Sequence, residues 1–274
     1  MWFGTEEGIS IYDGVQTKAY KPSEFHRQNA NPIGNQTHFI AGDKDGNVFF
    51  DSDQSLIRYD IQTQKFSCLR KSNVYTVASI KGTIWVGIAD SILTWNPDKN
   101  DFDFVTRLEN RNQRATCLLE DSGGRYWIGT TDGLFRMNDD KSLTCMIMGE
   151  DIYDLYEDSK YNLLDIHSHE WHVQKGRARQ FSPVTVTILP TPTTYRATRS
   201  GISWKTTSGT SGSALFTGLN KYNPTSNQFE VYARNPLPGS MTHSSVFPVY
   251  KDRQGTIWFG DLLRRCQLFQ PGDR

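Results

Sequence analysis

The sequence lacks several features that would assign it to a broad class of protein. Its 30 Lys and Arg residues balance its 30 Asp and Glu residues, so the chain has no net charge to attract nucleic acid or an anionic membrane surface. It contains no run of about 18 apolar residues, and the first residues, MWFGTEEG, have neither the basic nor the apolar region of a secretory signal. We therefore expect no nucleic-acid partner, no membrane span and no signal peptide within these residues.

Cysteine is scarce, and its spacing gives no sign of a metal or redox site. The four cysteines are Cys68, Cys117, Cys145 and Cys266. None stands in the CxxC spacing of zinc sites and thioredoxin-like pairs, and Cys117, inside the apolar run ATCLL, is expected to be a buried small residue. The sequence also has no Walker loop, GxSxG or HExxH motif. We predict no cofactor, no metal and no catalytic residues, and hence that this chain is not an enzyme.

A repeat of about 40 residues is what the sequence does contain. Its signature is a Trp followed two residues later by a Gly, as in WFGTEEGI, GTIWVG, GRYWIGTTDGL and GTIWFG. The signature residues are Trp2, Gly4, Trp85, Gly87, Trp127, Gly129, Trp258 and Gly260. A weaker copy begins at Gly46, with Phe49 in place of Trp85 and Tyr59 in place of Trp95, and a half-copy begins at Thr217.

Each copy has the pattern of a small antiparallel sheet. Apolar and polar residues alternate in LIRYD, LTWN and LNKY, which is the period of a strand with one buried face. Short strands such as TVASI and ATCLLED precede the signatures and are joined to them by Gly-containing turns, which indicates hairpins. Four such strands repeated at this period predict an all-β fold, a β-propeller with about seven four-stranded blades.

The signature residues have a structural role in such a fold. An indole at the same strand position of successive blades fills the wedge between neighbouring sheets, and a nearby glycine lets their backbones approach. We therefore expect these residues to form the core and not a ligand site.

The string W-[FVI]-G-T-x-x-G-[LI], followed by a Y-[ND]-P turn, closely resembles the two-component regulator propeller repeat. The resemblance covers residues 1 to about 163 and 217 to 260. In the hybrid two-component sensors of Bacteroides-like bacteria, such propellers form a periplasmic sensor that is followed by a membrane span, a histidine kinase and a receiver. The resemblance implies a periplasmic ligand-sensing module that responds to glycan-derived oligosaccharides. It also implies a membrane-anchored parent protein that acts as a homodimer.

The blade pattern is interrupted in the second half of the chain. Residues 1–163 and 217–274 carry blade sequence, whereas 164–216 read as an irregular stretch rich in Thr, Ser, Pro and Arg. Codons for NLLDIHSHEWHVQKGRA can be chosen that, after loss of one nucleotide near Leu164, read NLWISTHTNGMYKKDGH, a proper signature. We therefore predict compensating frame errors over about 164–216 and from 261 onward, with one or two blades disrupted. Because the chain begins inside a signature, we also expect it to be a piece of a longer protein.

Two polar clusters resemble metal-binding motifs, but a simpler interpretation is favoured for each. His167, His169 and His172 have a spacing that could bind a metal ion, but they lie in the suspect stretch. Asp43 and Asp45 in DKDGN resemble half of a calcium loop, but no glutamate follows at the twelfth position, so a strand-joining turn is favoured.

The ligand-binding residues are not identified by the sequence. Sugar sites combine an aromatic platform with polar groups, and loop aromatics such as Tyr153 or Tyr156 could serve. A propeller enzyme, a glycan lyase or hydrolase, is the first alternative function, but no acid or histidine that breaks the repeat stands out in the intact blades. An interaction scaffold of WD-repeat type is the second, and it is disfavoured because the signature is W-x-G-T and not G-H and W-D.

Overall fold

The computed structural model describes strands and turns over most of the first half of the chain and individual strands over the second. The described residues are 1–5, 8–20, 36–53, 55–157, 163–167, 170–174, 183–186, 204–205, 211–215, 218–223, 228–232, 246–251, 256–261 and 266–269. Within these ranges there is no helix, and hence none long and apolar enough to cross a membrane. The chain divides into two compact units, residues 1–151 and 152–274.

The first unit contains four antiparallel sheets. Sheet 1 consists of β1 (Trp2–Thr5), β2 (Gly8–Tyr12) and β3 (Thr17–Tyr20). Sheet 2 consists of β4 (Ile40–Gly42), β5 (Val48–Ser52), β6 (Ser55–Asp60) and β7 (Lys65–Arg70). Sheet 3 consists of β8 (Val74–Ile80), β9 (Thr83–Ile88), β10 (Ser91–Asn96) and β11 (Asp101–Arg107). Sheet 4 consists of β12 (Ala115–Glu120), β13 (Tyr126–Thr130), β14 (Gly133–Met137) and β15 (Leu143–Met148).

The second unit contains three more sheets of the same kind. Sheet 5 consists of β16 (Ile152–Glu157), β17 (Leu163–His167), β18 (Glu170–Gln174) and β19 (Pro183–Val186). Sheet 6 consists of β20 (Trp204–Lys205), β21 (Ser211–Leu215), β22 (Gly218–Asn223) and β23 (Gln228–Tyr232). Sheet 7 consists of β24 (Val246–Lys251), β25 (Ile257–Asp261) and β26 (Cys266–Phe269).

The strands of every sheet are paired in chain order, each antiparallel to the next. Five of the seven sheets that the described residues form have four strands. Tight turns make this possible: between β8 and β9, Lys81 and Gly82 both adopt positive φ, 50° and 77°. Two consecutive positive φ values are the requirement of a type I′ turn, whose twist matches that of the hairpin. The hairpin predicted from the KG dipeptide is therefore present.

Aromatic side chains pack one sheet against the next in the first unit. The Trp2 ring of sheet 1 lies 4.8 Å from the Tyr59 ring of sheet 2, and the Phe49 ring lies 5.2 Å from Trp95 of sheet 3. The Trp85 indole in turn stacks on Tyr126 of sheet 4 at 5.1 Å. The signature aromatics of sheets 1, 2 and 3 thus contact the following sheet, and each contact contributes on the order of 1 kcal/mol beyond its buried area.

The signature glycines make room for this packing. A Cβ atom added to Gly4 would lie 2.7 Å from the carbonyl oxygen of Thr37, and one added to Gly87 would lie 2.9 Å from the Cβ of Ala115. Thr37 precedes the first strand of sheet 2, and Ala115 begins the first strand of sheet 4. The glycine of one sheet therefore lies against the first strand of the next sheet.

The stretch 164–216 is not irregular throughout. β17 and β18 pair over five residues without a shift in register, and β19 pairs with β18. The reason is that EWHVQ retains the polar and apolar alternation of a strand, and a backbone ladder needs no particular side chains. In sheet 6, the described pairing of β20 with β21 involves Trp204 and Lys205. The suspect tail after residue 261 also contributes a strand, β26, which pairs with β25.

Candidate functional site

The first strands of the sheets share an irregularity at the same place. Val74 lies opposite Ile88 and Thr76 opposite Gly87, so β8 has one more residue, Tyr75, than β9 across this interval. β12 and β16 have the same shift, and the extra residues are Thr116 and Tyr153. An added residue in one strand is a β-bulge, which re-aims a side chain and is frequent beside binding sites.

Sheet 2 has the same irregularity, and His38 lies at the position of Tyr75. The amide of Asp51 donates to the carbonyl of Phe39, and the amide of Asp53 donates to the carbonyl of Gln36. Between these two hydrogen bonds the first strand advances by three residues, from Gln36 to Phe39, whereas the second strand advances by two, from Asp51 to Asp53. The bulge is thus a repeated feature of the first strands of sheets 2 to 5.

These strands approach one another in the first unit. β4 contacts β8, and β8 contacts β12, as adjacent first strands of sheets 2, 3 and 4. The bulged ends of the three strands, together with the loop that precedes β12, are called the convergent edge below. At this edge His38 lies two residues before β4, Tyr75 lies in β8 and Thr116 lies in β12. Because loops and bulges carry function on a rigid scaffold, it is the candidate site.

A histidine and an aspartate form a pair at this edge. Asp51 is 3 % exposed in its side chain, and its Oδ2 lies 2.9 Å from Nδ1 of His38. Its Oδ1 accepts hydrogen bonds from the amides of His38 and Phe39, at 2.7 and 2.6 Å. The imidazole is 41 % exposed, so a buried carboxylate fixes the orientation of a ring that reaches solvent. Such an imidazole can donate a hydrogen bond or accept a proton.

Asp51 and His38 break the repeat, contrary to the sequence-based prediction that no acid or histidine does so. In the strand register Asp51 occupies the place of Gly87 and Gly129, while Phe49 occupies that of Trp85. The sequence contained this signal, because the ungapped alignment of the weaker copy places Asp51 under the signature glycine. Its significance becomes visible only when the bulge brings His38 to the same carboxylate.

Arg114 lies on the loop that leads into β12. Its Nη1 donates to the carbonyl oxygens of Arg111 and Gln113, at 2.8 and 2.9 Å. Its guanidinium carbon lies 5.1 Å from the centre of the Tyr75 ring. Two backbone hydrogen bonds and one cation–π contact therefore hold the guanidinium in place beside a bulge residue.

The eight signature residues lie in the strands where the repeat places them. Trp127 is 1 % exposed and Trp85 is 8 % exposed, at corresponding positions in β13 and β9. Trp2 and Trp258 are partly exposed in β1 and β25. The glycines Gly4, Gly87, Gly129 and Gly260 each follow their tryptophan two residues later in the same strand.

The turn before β13 is organised by a buried aspartate. Oδ2 of Asp121 accepts hydrogen bonds from Nε1 of Trp127 at 2.9 Å and from Nε of Arg125 at 2.6 Å. Its Oδ1 accepts from the amides of Gly123 and Arg125, both at 2.9 Å. Burial acts to raise the pKa of Asp121, but the hydrogen bonds from Trp127 and Arg125 outweigh it and hold the pKa below its ordinary value.

Asp43 occupies the corresponding turn before β5, and the prediction of a strand-joining turn is confirmed there. Its Oδ1 accepts from the amides of Asp45 and Asn47, at 2.9 and 2.8 Å, and its Oδ2 accepts from the side-chain amide of Asn47. Both oxygens are therefore used within the turn itself.

Tyr153 and Tyr156, which the sequence suggested as loop aromatics, lie instead in β16 and are partly buried. Tyr153 is nevertheless the extra residue of the bulge in that strand. The difference arises because EDIYDLYEDS is bounded by polar residues on both sides, which hides a strand between them.

His167 lies in β17 and His172 in β18, and their backbone partners are Glu170 and Asp165, respectively. His169 and the side chains of this cluster lie outside the described residues. In the part of the chain that the structure describes, no three His, Cys, Asp or Glu side chains form a group that could hold a metal ion.

Comparison with known proteins supports the repeat and the fold. A family model described as Two component regulator propeller matches residues 111–132, which include the loop of Arg114 and strands β12 and β13. None of the curated proteins compared matches this sequence. The resemblance drawn from the W-x-G-T signature is thereby confirmed.

Solved structures share the architecture at low identity. The extracellular domain of the hybrid two-component system BT3049 from B. thetaiotaomicron is 18 % identical, with a TM-score of 0.76 over 97 % of this chain. This chain spans 38 % of the length of that protein chain. Virginiamycin B lyase from Staphylococcus aureus is 13 % identical, with a TM-score of 0.63 over 88 % of this chain and 87 % of its own.

A third similar structure is an auxiliary nutrient binding protein from Bacteroides thetaiotaomicron. It is 8 % identical, with a TM-score of 0.59 over 88 % of this chain and 70 % of its own. These likenesses and the antiparallel sheets show a β-propeller fold, and the predicted fold class is confirmed.

Proposed function

We propose that this chain is a periplasmic ligand-sensing propeller module of a hybrid two-component sensor that responds to glycan-derived oligosaccharides. The observation that carries the proposal is the family match at residues 111–132, because this segment supplies Arg114 and β12 to the convergent edge. The likeness to the extracellular domain of a hybrid two-component system supports it.

The convergent edge has the chemistry that such a module requires. Oligosaccharides are bound by aromatic rings together with directional polar groups, and here an imidazole, a phenol and a guanidinium lie on neighbouring strands or the loop between them. Each is fixed by a carboxylate, by the backbone or by a stacked ring, so little conformational entropy is lost on binding. A preorganised polar edge on rigid sheets suits recognition of a soluble ligand.

The remaining parts of the proposal concern the parent protein. We expect it to be anchored in the inner membrane, to act as a homodimer and to continue into a histidine kinase. The coding sequence downstream tests this directly. An in-frame membrane span followed by a kinase and a receiver is the expected result, and a stop codon followed by an unrelated gene would contradict it.

Ligand binding by the chain itself is tested by calorimetric titration. The purified 274-residue chain is titrated with plant and host oligosaccharides of known composition, and the constituent monosaccharides serve as the control. At least one oligosaccharide class should bind with measurable heat while its monosaccharides do not. Absence of binding to every class, by a chain whose folded state is verified by circular dichroism, would count against the sensor.

A propeller enzyme that acts on glycans is the second candidate, and the His38–Asp51 pair favours it. A carboxylate that fixes a partly exposed imidazole is the arrangement used for general-base catalysis, and a lyase is among the similar structures. If this candidate is correct, incubation with polymeric glycans should release new oligosaccharides detectable by mass spectrometry.

The variants His38→Gln and Asp51→Asn should abolish that release. Asp53→Asn is the matched control, because Asp53 accepts a hydrogen bond from the Gln36 amide in the same segment, whereas Asp51 is the carboxylate that bonds to the imidazole. Unchanged glycans after prolonged incubation with the unaltered chain would exclude turnover of those substrates and favour the sensor.

A further inference from the structure

The guanidinium of Arg114 is held in a fixed orientation, but only part of its hydrogen-bonding capacity is used. Nη1 makes both of its hydrogen bonds, to the carbonyl oxygens of Arg111 and Gln113. Within the residues that the structure describes, Nε and Nη2 donate to no protein atom, and no carboxylate forms an ion pair with Arg114. Nε–H and Nη2–H are adjacent on one side of the planar group, and together they form the fork that accepts a carboxylate in two parallel hydrogen bonds.

Asp132 beside this loop and the two acids at the His38 end of the convergent edge are engaged with other groups. Asp132 is the acceptor for Nε2 of Gln113, at 3.4 Å. Asp51 is held by His38, and Oδ1 of Asp53 accepts from the amide of Gln36 at 2.9 Å. Among the described residues, therefore, no carboxylate pairs with the fork of Arg114, although the guanidinium is only partly exposed.

The position of the fork connects it to the candidate site. Arg114 stacks on Tyr75, the bulge residue of β8, and His38 holds the corresponding place on the neighbouring first strand. β4, β8 and β12 are in contact in that order. A ligand at the convergent edge could therefore meet a cation, a phenol and an imidazole along one line of strands.

We propose that the convergent edge binds an acidic oligosaccharide, with the side-on fork of Arg114 receiving the carboxylate of a uronic acid. Tyr75 positions the guanidinium, and His38 contributes hydrogen bonding to sugar hydroxyls. This inference rests on the proposed sensor function and specifies its ligand class. A carboxylate is favoured over a neutral hydroxyl because only a planar anion uses both free donors of the fork at once.

The test compares matched ligands on the full chain. The probes are an oligogalacturonide, its carboxyl-reduced neutral counterpart and a sulfated disaccharide, each titrated calorimetrically at one ionic strength. The unaltered chain should bind the uronide at least about tenfold more tightly than the reduced sugar, since one bidentate charged contact gives that order of discrimination.

Three variants test whether the guanidinium fork of Arg114 causes the preference for the uronide. Arg114→Ala should lose the preference for the uronide, and Arg114→Lys should lose most of it although the charge is kept. Arg107→Ala is the control, because Arg107 is an exposed arginine at the end of β11 and its loss should leave the preference unchanged. Circular dichroism and melting temperature verify that each variant is folded.

The possible outcomes separate this inference from the function on which it rests. Equal affinity for the uronide and the reduced sugar, or an unchanged preference in Arg114→Ala, would overturn the acidic-ligand assignment and leave the sensor intact. A stronger response to the sulfated probe would overturn the carboxylate assignment. Binding of no oligosaccharide, acidic or neutral, would overturn the sensor function and this inference with it.

Discussion

Asp154 is a residue whose chemistry conflicts with its place in the sheet. In the register of the first strands it corresponds to Thr76 and Cys117, which are both buried. Its Oδ1 accepts from the amide of Leu155, whereas its Oδ2 is buried without a partner. Burial raises the pKa of Asp154 to about 8, and the hydrogen bond from Leu155 offsets only part of this effect.

Asp154 should make the stability of the fold depend on pH. The unfolded carboxyl ionises near its ordinary pKa of 3.8, but the folded carboxyl stays protonated to about pH 8, so stability falls as the pH rises between these values. Asp154→Asn should remove this loss and raise the melting temperature at pH 8 more than at pH 4. Asp98→Asn, an exposed turn residue, is the control, and equal shifts at both pH values would contradict the explanation.

The residue opposite Asp154 gives the frame-error hypothesis a structural test. Asp154 is paired across the ladder with Ile166, where the repaired sequence NLWIST would have serine. Directly opposed residues have their Cβ atoms about 5 Å apart on the same face of the sheet, so a serine hydroxyl there could bond to the carboxyl. The effect of Ile166→Ser on the free energy of unfolding should therefore be more favourable when Asp154 is present than in the Asp154→Ala variant.

A double-mutant cycle of urea unfolding free energies measures this coupling. A favourable interaction of about 1 kcal/mol is expected, in the range of one side-chain hydrogen bond. A coupling indistinguishable from zero would remove this support for the repaired frame, and resequencing the locus would then decide the question alone.

At the scale of single elements, the hairpin that joins β12 to β13 depends on Asp121. This carboxylate accepts hydrogen bonds from two amides and from the side chains of Arg125 and Trp127. The corresponding turn before β5 has Asp43 but no tryptophan partner. The indole bond is therefore present in the turn of sheet 4 and not in that of sheet 2, and it ties the turn to a tryptophan that is 1 % exposed.

Asp121→Ala should lower the free energy of unfolding by about 3 kcal/mol, because it leaves buried donors without acceptors. Trp127→Phe removes the indole donor and also some buried volume, so its loss of unfolding free energy, measured by urea titration, is an upper bound on the contribution of the indole hydrogen bond. Because the pKa of Asp121 lies below 3.8, its contribution is complete above about pH 4 and is lost as the pH falls through the folded pKa. A loss below about 0.5 kcal/mol in Asp121→Ala at neutral pH would show that water replaces the carboxylate.

The sequence predicted these elements unevenly, for identifiable reasons. The turns at Lys81–Gly82 and at Asp43 were predictable, because turn residues act through local backbone conformation. The aromatic positions were predictable because they recur at a fixed period. The His38–Asp51 pair was not, since it depends on a bulge that shifts one strand past another, and β16 was missed because acidic residues at both ends resemble loop sequence.

At the scale of the molecule, Gly87 and Ala115 limit how closely sheets 3 and 4 of the first unit approach each other. A Cβ added to Gly87 would lie 2.9 Å from both Cβ of Ala115 and Cγ2 of Thr76, which is closer than packed carbon atoms come. Sheets 3 and 4 would have to separate, and the buried aromatics between them would lose contact. The glycine therefore acts on a pair of sheets and not on its own strand alone.

Gly87→Ala should destabilise the fold by about 1–3 kcal/mol through overpacking. The double variant Gly87→Ala with Ala115→Gly moves the methyl group to the other side of the same contact and should recover part of the loss. Chemical denaturation of the four proteins in this cycle gives the result. Full additivity of the two single effects would show that they do not share one contact.

The glycine register has a consequence for how such a repeat acquires new chemistry. Gly4 and Gly87 leave no room for a Cβ atom, whereas sheet 2 carries Asp51 at this position while Phe49, two residues earlier, still packs against Trp95. Its carboxylate accepts hydrogen bonds from the amides of His38 and Phe39, which lead into the first strand of the same sheet. A carboxylate at the glycine position thus occurs here where the chain leading into the first strand of the same sheet supplies hydrogen-bond donors for it, and the residue at this position in each sheet is a simple guide to where related propellers carry such a group.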